Sequence, residues 1–241
     1  MDARAAALLA LSEFQVSQTT VGEALEGIAD ITLNAVTSAD FVGMSMLGDN
    51  GRPTTAVYTD AESPVIDEAQ YQEGKGPCLD AWRRNVVLTV RRMEHVKDVY
   101  PAFVAACQQH GVASTLSLPM RAGSVAVGAL NLYARVPDGF DDEDESLGRD
   151  LAAAGAAVLV NVSAYWTAFD LGAQLTEALE SRAVIEQAKG VLMAGSRDLT
   201  PDQAFGLLRQ ASQRENVKLR DIAQRIVDRL GGMDDTERKT R

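Results

Sequence analysis

Residues 114–146 read STLSLPMRAGSVAVGALNLYARVPDGFDDEDES. Two strand-like runs, STLSLPM (114–120) and VAVGALNLYA (125–134), meet at the short turn RAGS. The acidic cluster Asp141, Asp142, Glu143, Asp144 and Glu145 then opens a helical pattern, where negative charge suits the positive end of the helix dipole. A hairpin that runs straight into a helix sets an α+β order for this part of the chain.

Toward the N-terminus the same grammar continues. The pattern predicts helices over about 3–16 and over Thr20 to about Val36, the latter with Val21, Leu25, Ile28 and Leu33 near helical spacing. FVGMSML (41–47) and TTAVY (54–58) predict a hairpin around GDNGR, with Asn50-Gly51 at its centre. A short helix over 64–73 is closed by Gly74, Pro77 starts another, VVLTV (86–90) is a strand, and 96–109 is helical. This order predicts an antiparallel sheet flanked by helices, which we expect on one side.

Toward the C-terminus no proline occurs between Asp142 and Pro201. The stretch predicts one helix of about 50 residues, up to ~75 Å long, or two with a bend near Gly172. Such a helix connects domains and pairs with a partner chain. Thr200-Pro201-Asp202-Gln203 is a capping box with proline at the first helical position. Its helix is expected to bury Ala204, Phe205, Leu208 and Ala211. The last helix should bury Leu219, Ile222, Ala223, Ile226 and Leu230 and stop at Gly231-Gly232. The expected domains are 1–165, 166–232 and a disordered tail, 233–241.

Composition narrows the function. Hydrophobic residues are 46% and charged residues 24%, which permits a real core and excludes wholesale disorder. Cys78 and Cys107 form no CxxC pair and no metal-ligand spacing, so neither a disulfide scaffold nor a metal site is expected. The N-terminus lacks the flanking charge of a signal peptide. LAAAGAAVLVNVSAYWTAF (151–169) is broken by Asn161 and reads as a buried or dimer-forming helix rather than a membrane span. A cytoplasmic, soluble protein is expected.

The net charge of −11 argues against a nucleic-acid binder taken whole, but its distribution does not. Residues 1–174 carry 11 basic and 23 acidic side chains, while 175–232 carry 9 basic and 8 acidic. The final quarter therefore permits a local cationic face. On a helical wheel Leu175, Leu179, Arg182, Glu186, Lys189 and Met193 share one side, and Val184, Ala188, Val191 and Leu192 the other. The first stripe is apolar, then charged, as though a helix-pairing surface gave way to a binding one. Gly190 costs ~1 kcal/mol of helix propensity against Ala and offers an open backbone. A solvated face, with Glu186 bridging Arg182 and Lys189, remains the alternative, and Gly190 could instead pack on Phe205.

Residues 175–230 closely resemble an ANTAR domain, the RNA-binding module of bacterial transcription antiterminators. The resemblance rests on Ser181-Arg182, Ile185-Glu186, Ala188-Lys189-Gly190, Leu192-Met193, Ala204-Phe205, Leu208-Arg209, Leu219 and Ala223. Residues 20–165 resemble a GAF domain in element order, in EGKGPCLDAWRRNVVLTV and in SLPMRAGSVAVGALNLYARVPDGFDDED. The pair is similar to mycobacterial and actinobacterial GAF–ANTAR regulators of transcription antitermination.

The resemblance implies a GAF-like antiparallel sheet, a long connecting helix with coiled-coil character and a C-terminal all-α three-helix bundle. It implies binding of tandem RNA hairpins with hexanucleotide loops, by a homodimer paired through the long helices. By position it assigns RNA binding to Arg182, Lys189, Gly190, Arg209, Ser212, Lys218 and Arg220, with Arg214 and Arg225 weaker. The GAF part would dimerise or hold an unknown small molecule, and no cofactor is implied. The rivals are a small-molecule sensor acting through protein partners and a DNA-binding regulator.

No catalytic set is legible. EGKGP (73–77) lacks the rest of a phosphate loop, His95 and His110 stand alone, and Cys78 reads as buried packing. We therefore expect no enzyme.

Overall fold

The computed structural model describes residues 2–47, 52–196 and 198–238, with side chains as far as Arg229. The chain divides into two compact units, Met1–Thr167 and Ala168–Arg241. The turn expected at Asn50-Gly51 lies outside the described residues.

The first unit is built on five antiparallel strands in the order β2-β1-β5-β4-β3. They are β1 (Phe41–Leu47), β2 (Pro53–Tyr58), β3 (Leu88–Val90), β4 (Ser114–Ala122) and β5 (Val125–Ala134). β5 sits at the centre, with Met44 opposite Leu130 on one side and Leu118 opposite Leu130 on the other. Four of its helices are α1 (Ala3–Ser12), α2 (Val21–Ala35), α3 (Glu62–Glu73) and α4 (Pro77–Arg84). α5 (Pro101–Gln109) and the first half of α6 (Asp142–Ala194) complete it. α2 carries the complete capping box Thr20/Glu23.

Helices cover both faces of the sheet, not one. Alternation along the strands explains this, because both sets of side chains are buried. Val42, Met44, Leu116, Leu118, Leu130 and Leu132 face one core, shared with α1, α2 and the apolar stripe Leu147, Leu151, Ala152, Ala156, Leu159 and Val162 of α6. Single glycines let α6 approach: a Cβ at Gly148 would lie 2.8 Å from Leu118 Cδ1, and one at Gly155 2.8 Å from Ile28 Cγ2. By length and composition α6 is the one described helix that could cross a membrane. In the first unit its apolar stripe is spent on this core.

The second face carries Phe41 stacked on Tyr133, with centroids 4.7 Å apart, over Ile66, Phe103 and Val104 of α3 and α5. Beside them lies a buried polar network. Asp67 accepts from Tyr133 Oη at 2.6 Å, Thr55 Oγ1 at 2.9 Å and Gln70 Nε2 at 3.1 Å. Ser45 Oγ joins Tyr71, Asn131 and Cys78. No cation pairs with Asp67 among the described residues, and burial pushes its carboxyl from 3.8 up to about 6 despite those donors. Burial likewise holds the Cys78 thiol up at about 12, so it stays protonated and unreactive.

Some boundaries differ from expectation for local reasons. The helix expected from 96 begins at Pro101, which has no N–H to give and disfavours helix in the residue before it; residues 93–95 form a separate 3-10 turn. α1 ends at Ser12, whose hydroxyl bonds back to Leu9 O at 2.7 Å. β3 starts at Leu88 because Val86 N closes the end of α4 on Ala81 O, after Asn85 turns left-handed. α6 is unbroken through Gly172. The last helix, α8 (Leu219–Arg238), continues through Gly231 and Gly232, so the backbone is helical into the segment expected to be a loose tail.

Asp67 gives the first unit a signature in its acid stability. Its folded pKa lies above its unfolded one, so its stabilising contribution is complete below about pH 3.8 and is lost as pH rises through about 6. The loss is roughly 3 kcal/mol for a shift of this size. Chemical denaturation of parent and Asp67→Asn between pH 4 and 7 should show their stability difference moving in favour of the variant as pH rises. A constant difference would mean that Asp67 does not titrate there.

Candidate nucleic-acid interface

The second unit is a helical bundle made of residues 168–194 of α6, α7 (Pro201–Glu215) and α8. Ala188, Leu208, Ile222 and Ala223 form its centre, with Val184, Leu192, Ala211 and Ile226 packed around them. Small residues at 188 and 223 let the helices come close. The capping box at the start of α7 is complete: Gln203 N donates to Thr200 Oγ1 at 3.3 Å and Thr200 N to Gln203 Oε1 at 2.9 Å. α7 ends at Asn216 in the left-handed region, φ 52°.

This packing turns Arg182, Glu186, Lys189 and Gly190 of α6 away from the centre, but their states differ. Arg182 is exposed and has no ion pair among the described residues. Lys189 is mostly covered: its side chain is 15% exposed, and its Nζ donates to both Glu186 carboxylate oxygens at 2.9 Å. The bridge foreseen for Glu186 thus forms on one side only. Gly190 is exposed, and a Cβ there would meet nothing within 4 Å. It is not a packing glycine against Phe205.

On α7, Arg209 is exposed and has no ion pair among the described residues. Ser212 is half-buried, and its hydroxyl donates to Val217 O at 2.6 Å, so it ties the α7–α8 turn. Lys218 is exposed beside the start of α8 and gives its carbonyl to Asp221 N and Ile222 N. Arg220 reaches Glu177 of α6 and lies 3.5 Å from Asp221, which fastens the start of α8 to α6. Arg214 and Arg225 both pair with Glu215. Four of the seven expected positions, Arg182, Gly190, Arg209 and Lys218, are open; Lys189, Ser212 and Arg220 hold internal partners.

Among the described side chains, which do not include that of Leu230, one residue departs from its expected place. Phe205, expected in the core beside Ala204 and Leu208, is 39% exposed and outside the bundle's apolar cluster. The wheel gives the reason. Ala204, Leu208 and Ala211 centre the buried side, and Phe205 falls about a quarter turn from it. Leu171, Leu175 and Leu179 of α6 are also 55%, 57% and 68% exposed.

The family model of the GAF domain matches residues 18–160, more than half of the chain, and that of the ANTAR domain matches 173–227. The chain belongs to the GAF domain family and carries an ANTAR domain behind it. ANTAR domains are RNA-binding modules of antitermination regulators, and GAF domains serve sensing and dimerisation, so the architecture is regulatory. No curated protein is similar enough to count as a match.

Solved structures agree on the GAF fold. A domain of a putative two-component sensor histidine kinase from Sinorhizobium meliloti matches at TM-score 0.50 and 13% identity, over 62% of this chain and 97% of its own. The photoproduct state of a Synechocystis GAF domain matches at TM-score 0.50 and 15% identity, over 62% and 99%. At such identities the likeness concerns the fold alone.

In the ANTAR domain, Gly190 is free to be tested by substitution. Gly190→Ala adds a methyl to open space and removes a backbone-entropy cost, so it should stabilise the bundle by up to about 1 kcal/mol. Urea denaturation of the full chain, followed by helical circular dichroism, measures this. A loss of stability would reveal a packing contact at 190.

Proposed function

We propose that this protein is an RNA-binding transcription antitermination regulator. It acts as a homodimer and holds tandem hairpins with hexanucleotide loops through its ANTAR domains. The single observation that carries this reading is the surface of α6: an exposed guanidinium at 182 and an open backbone at 190, within the segment matched by the ANTAR model. Hairpin loops splay their bases, phosphates call for Arg and Lys, and an exposed helical backbone allows a nucleotide close approach.

Arg182, Arg209 and Lys218 are ready contacts for phosphate. Lys189 and Arg220 take part by exchanging Glu186 and Glu177 for phosphate, while Ser212 holds the turn that presents Lys218. The GAF domain dimerises and senses, with a small molecule as its candidate ligand. The protein is no enzyme in this reading, and its place is the cytoplasm.

Dimerisation is supported by the exposed run Leu171, Leu175 and Ala178, whose four-three spacing is that of a helix-pairing seam. A second copy of α6 supplies the same stripe. Leu175→Glu should therefore shift the protein from dimer to monomer in sedimentation experiments, with helical content in the two folded units retained. An unchanged dimer would place the contact elsewhere.

The RNA reading is tested by equilibrium binding of a tandem hexaloop RNA at several salt concentrations, with duplex DNA as competitor. Arg182→Ala and Arg209→Ala should each weaken binding about tenfold, as expected for one charge-assisted contact of about 1.5 kcal/mol. Each should lower the salt slope by about 1. Preference for duplex DNA, or equal binding by parent and both variants, would reject the assignment.

A further inference from the structure

The wheel of α7 places Phe205 and Arg209 on one stripe, one turn apart, beside the buried side rather than on it. The ring is 39% exposed, lies outside the bundle's apolar cluster, and has no ring or cation stacked on it among the described residues. Core packing therefore gives no reason for an aromatic at 205.

An exposed guanidinium lies one turn beyond it. Lys189, Arg214, Arg220 and Arg225 in this unit each have a carboxylate within 4.0 Å. Arg209, like Arg182 and Lys218, has none among the described residues, and of these Arg209 alone shares a stripe with an exposed ring. Asp202 lies one turn before Phe205, in the first turn of α7, where a carboxylate suits the helix dipole. The stripe is thus acidic ahead of the ring and cationic behind it, and an anion is favoured only on the Arg209 side.

We propose that Phe205 and Arg209 form a stacking site for one unpaired nucleotide, its base lying on the ring and its phosphate on the guanidinium. The inference rests on the RNA reading above and deepens it. Cationic contacts alone cannot tell a loop from a paired stem, because both display phosphates. An exposed aromatic can, because only an unpaired base offers its face. Phe205 is the specificity element in this division of labour, and Arg209 fixes the polarity of the strand across it.

The test uses the full chain and a tandem hexaloop RNA carrying 2-aminopurine at each loop position in turn. The parent should quench the fluorescence at one position. Phe205→Leu should abolish that quenching and weaken binding by about tenfold or more, with an unchanged salt slope. Phe205→Trp should restore both, and Arg209→Gln should lower the salt slope by about 1.

A parent that binds the RNA while Phe205→Leu quenches and binds equally well overturns the stacking site and leaves the RNA reading standing. The stacking site also falls, again without the RNA reading, if Phe205→Leu shifts the dimer midpoint but not the RNA affinity of the dimer, since the ring would then cover a second copy. A parent that binds no structured RNA overturns the RNA reading and the stacking site with it.

Discussion

One helix has to satisfy two separate cores, and the rest of the structure follows from that constraint. Between Leu147 and Val162, α6 lays an apolar stripe against the sheet. Between Val184 and Leu192 it lays another against α7 and α8. The stretch 167–180 between them is exposed at every residue. A helix without tertiary packing is marginal in water, since propensity alone seldom offsets the cost of nucleation. The burial at each end supplies the nucleus, so the middle need only propagate. Leu171, Leu175 and Leu179 then leave an exposed apolar side, the surface that the proposed pairing with a second copy of α6 would cover.

The same helix shows how a binding surface is kept inside an acidic chain. Half of the described cations at the end of α6 and on α7 and α8 are held by nearby carboxylates: Lys189 by Glu186, Arg220 by Glu177, Arg214 and Arg225 by Glu215. The arginine pairs are exposed, contribute little to stability and exchange easily, while Lys189 is more covered. They order long side chains at small cost, and in the proposed reading they yield them to phosphate. Arg182, Arg209 and Lys218 have no ion pair among the described residues, and in the proposed reading they meet the RNA first. In that reading the internal pairs would make the patch less adhesive toward weak anions, which serves selectivity as much as affinity.

Much of this was legible in the residues. The capping box at Thr200, the hairpin of β4 and β5 and the proline-free run from Asp142 follow local rules, and local rules are written in adjacent positions, while Ala188-Lys189-Gly190 was legible through its resemblance to a known module. What the sequence hid depends on distant neighbours. The buried polar network of Asp67, Ser45 and Asn131 joins residues up to 86 positions apart, and no spacing signals it. Both sheet faces are covered because the strands bury polar side chains as well as apolar ones, so the polar face read as solvent. Phe205 was misplaced because it sits about a quarter turn from the centre of the buried side, at its edge, and only the packed bundle decides on which side of that edge a residue falls.

Gly190 and Phe205 are informative because each works against the fold that carries it. Glycine in mid-helix sacrifices about 1 kcal/mol of propensity, and no neighbour within 4 Å needs its missing side chain. A phenylalanine outside the apolar cluster leaves apolar surface in water that a polar residue would not. Neither choice can be explained by packing, and both fall in the matched ANTAR segment, next to Lys189 and one turn from Arg209. A position where the local rules of stability are broken without compensation in the folded chain points to a partner that supplies it. In the RNA reading proposed above, a single-stranded ribonucleotide loop is such a partner, since it offers flat unpaired base faces and closely spaced phosphates.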